Sequence, residues 1–146
     1  GALRNGIKYQ DTFSVIASFS GAIYKNALPF EEDSSSPFFL TSRYAKSIFK
    51  DQDYYDSHGN QLFKAIEKVE NPSDLKIFMT CGTEDWLLDK SREFSRFLFE
   101  KGVPVIYKEK SGGHEWDFWD WSIKEFLDWW IPEDTDQGVS SGNVRS

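Results

Sequence analysis

Cysteine and histidine are scarce in this chain: its 146 residues include one cysteine, Cys81, and two histidines, His58 and His114. A lone thiol closes no intramolecular disulfide, and these side chains fall short of the ligand sets of structural zinc sites. No metal and no cofactor is therefore expected. The sequence also lacks an apolar run of membrane-spanning length, and residue 1 does not begin a signal-peptide pattern. Basic residues nowhere gather into a patch, and a net charge of -7 would repel nucleic-acid phosphates. Neither a membrane nor a nucleic acid is expected as a partner. The scarcity of cysteine tilts the expected compartment toward the cytoplasm without deciding it. Internal repeats are absent.

Aromatic residues, phenylalanine foremost, make up 17% of the chain within a hydrophobic fraction of 39%. At this length that composition describes one domain with a real core. The opening Gly1-Ala2-Leu3-Arg4-Asn5-Gly6-Ile7-Lys8 reads as a helix already under way, with neither an N-cap residue nor a preceding strand. Phe13 to Ser20 is short and β-prone and ends at Gly21, as a buried strand would. Residues 21–59 break the pattern with Pro29, the run Glu31-Glu32-Asp33-Ser34-Ser35-Ser36, Pro37 and a short helix over Ser42 to Lys50. Such an excursion is either a cap over a pocket or a surface insertion.

Regular alternation resumes at Asn60, where Leu62, Phe63, Ile66 and Val69 share one helical face until Pro72 ends it. A strand over Leu75 to Thr80 follows, then a helix to Lys101 with Phe94, Phe97 and Leu98 inward and Gly102 as C-cap. Val103 to Tyr107 is the last strand. The final helix starts at Trp116 and predicts a stripe of Trp116, Trp119, Ile123, Phe126, Leu127 and Trp130 against the core, with Pro132 as its stop. Glu133 to Ser146 is polar and predicted to be disordered. Strands separated by helices give an α/β class, a mostly parallel sheet with helices on both faces, in one domain over residues 1–132.

Chemistry is expected at two strand ends. Leu75 to Thr80 runs into Cys81-Gly82-Thr83-Glu84-Asp85, and the last strand runs into Ser111-Gly112-Gly113-His114-Glu115-Trp116. One crossover makes these strands parallel neighbours, so both turns reach the same C-terminal edge of the sheet. An acid and a histidine facing one another there are two members of a nucleophile-base-acid triad. Glu84 is the alternative acid. Asp89 fits the first turn of the next helix, where its charge suits the dipole. Trp86 and Trp116 are candidates to line a pocket, although helical spacing also fits Trp116 to the core. His58 reads as a solvated loop residue, and Asp51, Asp53 and Asp56 lack the glycine and terminal glutamate of a calcium loop. Gly138-Val139-Ser140-Ser141-Gly142 has the form of a Gly-x-Ser-x-Gly elbow, but no strand enters it and no helix leaves it. Ser20, at a strand end, is read as structural.

Gly1-Ala2-Leu3, Phe13-Ser14, Ala17-Ser18-Phe19-Ser20-Gly21-Ala22, Cys81-Gly82-Thr83-Glu84-Asp85-Trp86-Leu87 and Gly113-His114-Glu115-Trp116 with Trp119, in that order, resemble the bacterial tributyrin-esterase group within the esterase D-like α/β-hydrolases. The resemblance runs from residue 1 to about Pro132. It implies the C-terminal half of an α/β-hydrolase fold and hydrolysis of short-chain acyl or aryl esters by a Ser-Asp-His triad. Asp85 takes the acid's place in the Gly-x-x-Asp-x-Leu pattern and His114 the base's. The family's nucleophile lies in an elbow just before the helix that here opens as Gly1-Ala2-Leu3, so no nucleophile is expected within this chain, and the isolated chain is expected to be inactive. The implied partner is a small ester, with self-association or pairing with an N-terminal fragment as further expectations. A non-catalytic binding module, or a thioesterase or peptidase of the same fold, are the alternatives.

Overall fold

The computed structural model of the chain describes residues 1–25, 42–58 and 60–131. The expected acidic-serine run, the tail and Ser140 lie outside the described residues. The elements run α1 (Ala2–Lys8), β1 (Ile16–Phe19), α2 (Ser42–Phe49), α3 (Gln52–Ser57), α4 (Leu62–Glu67), β2 (Ile77–Gly82), α5 (Leu88–Glu100), β3 (Val105–Lys110) and α6 (Trp116–Trp130). The strands form one parallel sheet in the order β1-β2-β3, with Ile16 opposite Ile77 and Ile77 opposite Val105. β2 is central and buried at every position.

Side chains alternate across the sheet, and each face meets its own helices. Ile16, Ile77 and Met79 point into a core completed by Leu3 and Ile7 of α1, Phe63 and Ile66 of α4, and Phe94 and Leu98 of α5. Gly6 lets α1 lie directly on β1, since a Cβ there would fall 2.3 Å from Ile16 Cγ1. Phe78 and Thr80 point the other way, onto α6. Phe126 and Trp129 lie 5.6 and 5.4 Å from Phe78 between ring centroids, and Thr80 Oγ1 donates to Ser122 Oγ at 2.8 Å. Helices thus cover both faces, as the alternation predicts.

The strand limits differ from expectation for local reasons. Phe13 belongs to the turn after α1, where its N–H donates to Tyr9 O at 3.1 Å, so β1 begins only at Ile16. A single 3-10 turn over Pro72–Asp74 ends at Leu75, so β2 starts at Ile77 and takes in Cys81 and Gly82. β3, an edge strand among the described residues, extends to Lys110, and its charges find partners: Lys108 with Glu125 at 2.6 Å and Glu109 with Arg92 at 2.7 Å.

The expected inward stripe of α6 is also corrected. Phe118 and Ser122 are its buried residues, with Phe126 and Trp129 partly covered, while Ile123, Leu127 and Trp130 are exposed. Trp116 is 76% exposed, which overturns its assignment to the core. α6 is apolar on two sides, and the Thr80–Ser122 bond together with the aromatic cluster at Phe78 selects the side that faces the sheet. Among the described residues no helix is long and apolar enough to cross a membrane.

Candidate active site

The C-terminal edge of the sheet carries two turns pressed backbone to backbone. After β2, Asp85 N–H donates to Gly82 O at 3.1 Å, and Leu88 N–H returns to Asp85 O at 3.0 Å, which begins α5. After β3, Gly112 takes φ 144°, a conformation open to glycine. Gly82 has equally little freedom to change, because a Cβ there would sit 2.0 Å from Gly112 O. Thr83 N–H bonds to Lys110 O at 3.0 Å and Glu84 N–H to Gly112 O at 3.1 Å, so the two turns continue the sheet's pairing beyond its last residues.

This contact brings Asp85 and His114 together. His114 Nδ1 lies 3.0 Å from Asp85 Oδ2, and Asp85 Oδ1 accepts the Leu87 N–H at 2.9 Å. An ionised carboxylate only accepts, so Nδ1 is the donor and Nε2 is left with its lone pair in the neutral ring. The Asp85 side chain is 0% exposed and that of His114 is 38% exposed. The acid is thus shielded from water while the imidazole presents its outer edge to the surface. Among the described residues Nε2 has no hydrogen-bond partner.

Aromatic rings frame the histidine. Trp86, on the Asp85 turn, lies 5.6 Å from the imidazole centroid. Trp119, one turn into α6, meets it edge-on at 5.0 Å. Trp116 stacks edge-on against Trp119 at 5.1 Å, so it reaches the site through Trp119. The direct neighbour Trp119 enters the sequence reading as a helix-face residue and among the residues of the family resemblance, not as a site residue; its place in the first turn after His114 was the available signal. Glu84, the alternative acid, does not bond to His114. Its carboxylate accepts from Ser111 Oγ and Gly112 N–H, and the Gly112 bond holds its pKa below the ordinary carboxylate value.

The remaining candidates sit elsewhere. His58 stacks on Tyr54 at 3.9 Å and lines an open cavity of about 400 Å3 with Arg4, Lys8 and Lys68, a cavity that includes neither Asp85 nor His114. Asp51 caps α3 by accepting Tyr54 N–H at 2.8 Å, and Asp56 pairs with Lys64 at 3.6 Å. Asp89 occupies the first turn of α5. Ser20 is buried at the end of β1 with φ 50°. Cys81 is buried too, and burial pushes its thiol pKa up, away from nucleophilic use. Among the described residues no group of three or more His, Cys, Asp or Glu side chains could hold a metal ion.

An acetyl esterase of Caldicellulosiruptor saccharolyticus is 31% identical over 131 residues, which is 88% of this chain and 49% of that protein. Among solved structures, a ferulic acid esterase superposes over 88% of this chain and 46% of its own, with 25% identity and a TM-score of 0.63. An S-formylglutathione hydrolase of Staphylococcus aureus does so over 88% and 45%, with 17% identity and a TM-score of 0.58. A fluorophosphonate-binding serine hydrolase of the same species covers 88% and 49%, with 22% identity and a TM-score of 0.60. The chain carries part of an α/β-hydrolase fold. It spans about half the length of each of these four relatives. No family model matches it. Within this fold, the C-terminal strand ends of the sheet are where sites assemble, and both Asp85 and His114 stand there.

Proposed function

We propose that this α/β-hydrolase chain supplies the acid and the base of a serine carboxylester hydrolase, of the tributyrin-esterase group within the esterase D-like enzymes, acting on short acyl or aryl esters. The Asp85–His114 couple carries the reading: a shielded carboxylate fixes Nδ1–H and leaves Nε2 open at the sheet edge. The serine then comes from the part of the relatives' length that this chain does not span. Nε2 takes the proton of the serine hydroxyl as its oxygen attacks the ester carbonyl. The resulting imidazolium is stabilised by Asp85, and its proton passes to the alcohol as the acyl–oxygen bond breaks. A water repeats the sequence on the acyl-enzyme, releasing the acid and restoring the serine.

The test compares two proteins. The 146-residue chain alone is expected neither to turn over p-nitrophenyl acetate nor to take up a fluorophosphonate label, since Asp and His form no acyl-enzyme by themselves. Protein that also carries the coding sequence preceding Gly1 is expected to do both. Turnover by the chain alone that Ser140→Ala abolishes would overturn the proposal. A residue other than serine in the preceding Gly-x-Ser-x-Gly position would instead make this a binding module of the same fold.

A further inference from the structure

The turn that carries Asp85 grips the turn that carries His114 with a second carboxylate. Glu84 Oε2 accepts the Gly112 N–H, and Oε1 accepts the Ser111 hydroxyl at 3.1 Å. Both donors lie on the opposite turn, so this is no local turn bond. The adjacent Gly113 N–H is taken by Glu115 Oε1 at 3.0 Å. Between the end of β3 and His114 stand only Ser111, Gly112 and Gly113. A Gly-Gly tether has more backbone freedom than any other pair, so a histidine at its end would sample many positions unless the tether were held.

We propose that Glu84 is a positioning residue: its carboxylate fixes Ser111 and Gly112 so that His114, two residues further on, meets Asp85 with Nδ1 directed at Oδ2. The proposal rests on reading Asp85 and His114 as the acid–base pair. Glu84 itself touches no reacting atom. It divides the work with its neighbour, one carboxylate holding the tether and the next holding the ring. Its two acceptors also decide what a substitution does. In Glu84→Gln the amide oxygen still accepts Gly112 N–H, while the amide NH2 donates to Ser111 Oγ, a hydroxyl able to accept. In Glu84→Ala both contacts are lost. Glu84→Asp keeps the charge and withdraws it by one methylene.

The chain has two histidines, so His58→Gln leaves the ring signals of His114 alone in an NMR spectrum of the 146-residue protein. The 15N shifts report which ring nitrogen holds the proton, and exchange of the Nδ1 proton with water reports how often the bond to Asp85 opens. Wild type and Glu84→Gln are expected to share an Nδ1–H tautomer with a protected proton. Glu84→Ala and Glu84→Asp are expected to speed that exchange by about tenfold or more, what losing a hydrogen bond to a charged group implies, with the far-UV circular dichroism unchanged. Wild-type exchange in either variant overturns the proposal, and the aspartate variant decides should the alanine variant unfold. Asp85→Asn separates the two claims. If it leaves the His114 signals as they were, the acid–base pair itself fails. If it shifts them while Glu84→Ala and Glu84→Asp do not, Glu84 alone has been misassigned.

Discussion

At Asp85 one oxygen faces His114 and the other a backbone N–H, so replacing it by asparagine changes who donates. If the amide oxygen keeps the Leu87 N–H, its NH2 must face Nδ1, and the ring then adopts the tautomer with the proton on Nε2. That nitrogen can no longer take a proton from a serine. In the catalytically complete protein Asp85→Asn is expected to lower kcat by about four orders of magnitude, the precedent set by serine proteases, with KM little changed. His114→Ala is expected to cost at least as much, and the double variant little more, because the residues act as one unit. Steady-state kinetics of the three variants checks this, and normal turnover by His114→Ala would end the hydrolase reading. Glu84 adds a pH dependence of stability. Its folded pKa lies below the ordinary 4.5, with the Gly112 N–H the largest cause, so the ionised clasp contributes above that value and is lost as pH falls through the lower folded one. The stability gap between wild type and Glu84→Gln, read by urea denaturation, is expected to be present at neutral pH and to close below the ordinary carboxylate range. That Asp85 and His114 meet was legible in the sequence because each stands in the turn that follows one of two neighbouring parallel strands. Glu84 was not, because a carboxylate in a turn is commonplace and its partners lie on another turn.

The same contrast holds for whole elements. Strands and helices that bury one kind of surface could be read from pattern alone: β2 opens on the apolar run Ile77-Phe78-Met79, and α5 turns Phe94 and Leu98 inward at a spacing of one helical turn. Strand ends were misplaced by two or three residues where a capping turn or an ion pair, not hydrophobicity, sets the limit. α6 defeated the periodicity argument because both of its sides carry aromatic and aliphatic residues, so a period of 3.6 fits either. What chooses is across the sheet, in Thr80 and Phe78. The choice has a measurable consequence. Phe118→Ala, at a site 3% exposed, is expected to cost about 3–5 kcal/mol of stability. Ile123→Ala, at a site 45% exposed, is expected to change it by about 0.5 kcal/mol or less. Urea midpoints of the two variants test which side of α6 faces the sheet, and the reverse order would restore the stripe that periodicity predicts.

For the whole molecule, the surface left over by this packing is unusual for a chain of net charge -7. Trp116, Ile123, Leu127, Trp130 and Ile131 lie exposed along and just past α6, and β1 has no strand on its outer edge among the described residues. An exposed apolar stripe favours contact with another apolar surface, and an unpaired strand is a template for another chain. Like charge opposes contact between two copies, but that repulsion reaches only about 10 Å at 0.1 M salt and less as salt is raised, whereas apolar contact is not screened. We therefore expect the 146-residue chain to self-associate, and to do so more as ionic strength increases. Sedimentation at low and high salt measures this, with Ile123→Lys and Leu127→Lys as variants that place charge on the stripe while leaving Phe118, Phe126 and Trp129 against the sheet. Association that grows with salt and falls in the variants assigns it to α6. Association indifferent to the variants moves it to the β1 edge, and a monodisperse monomer at both salt concentrations would show that neither surface binds a second copy of this chain.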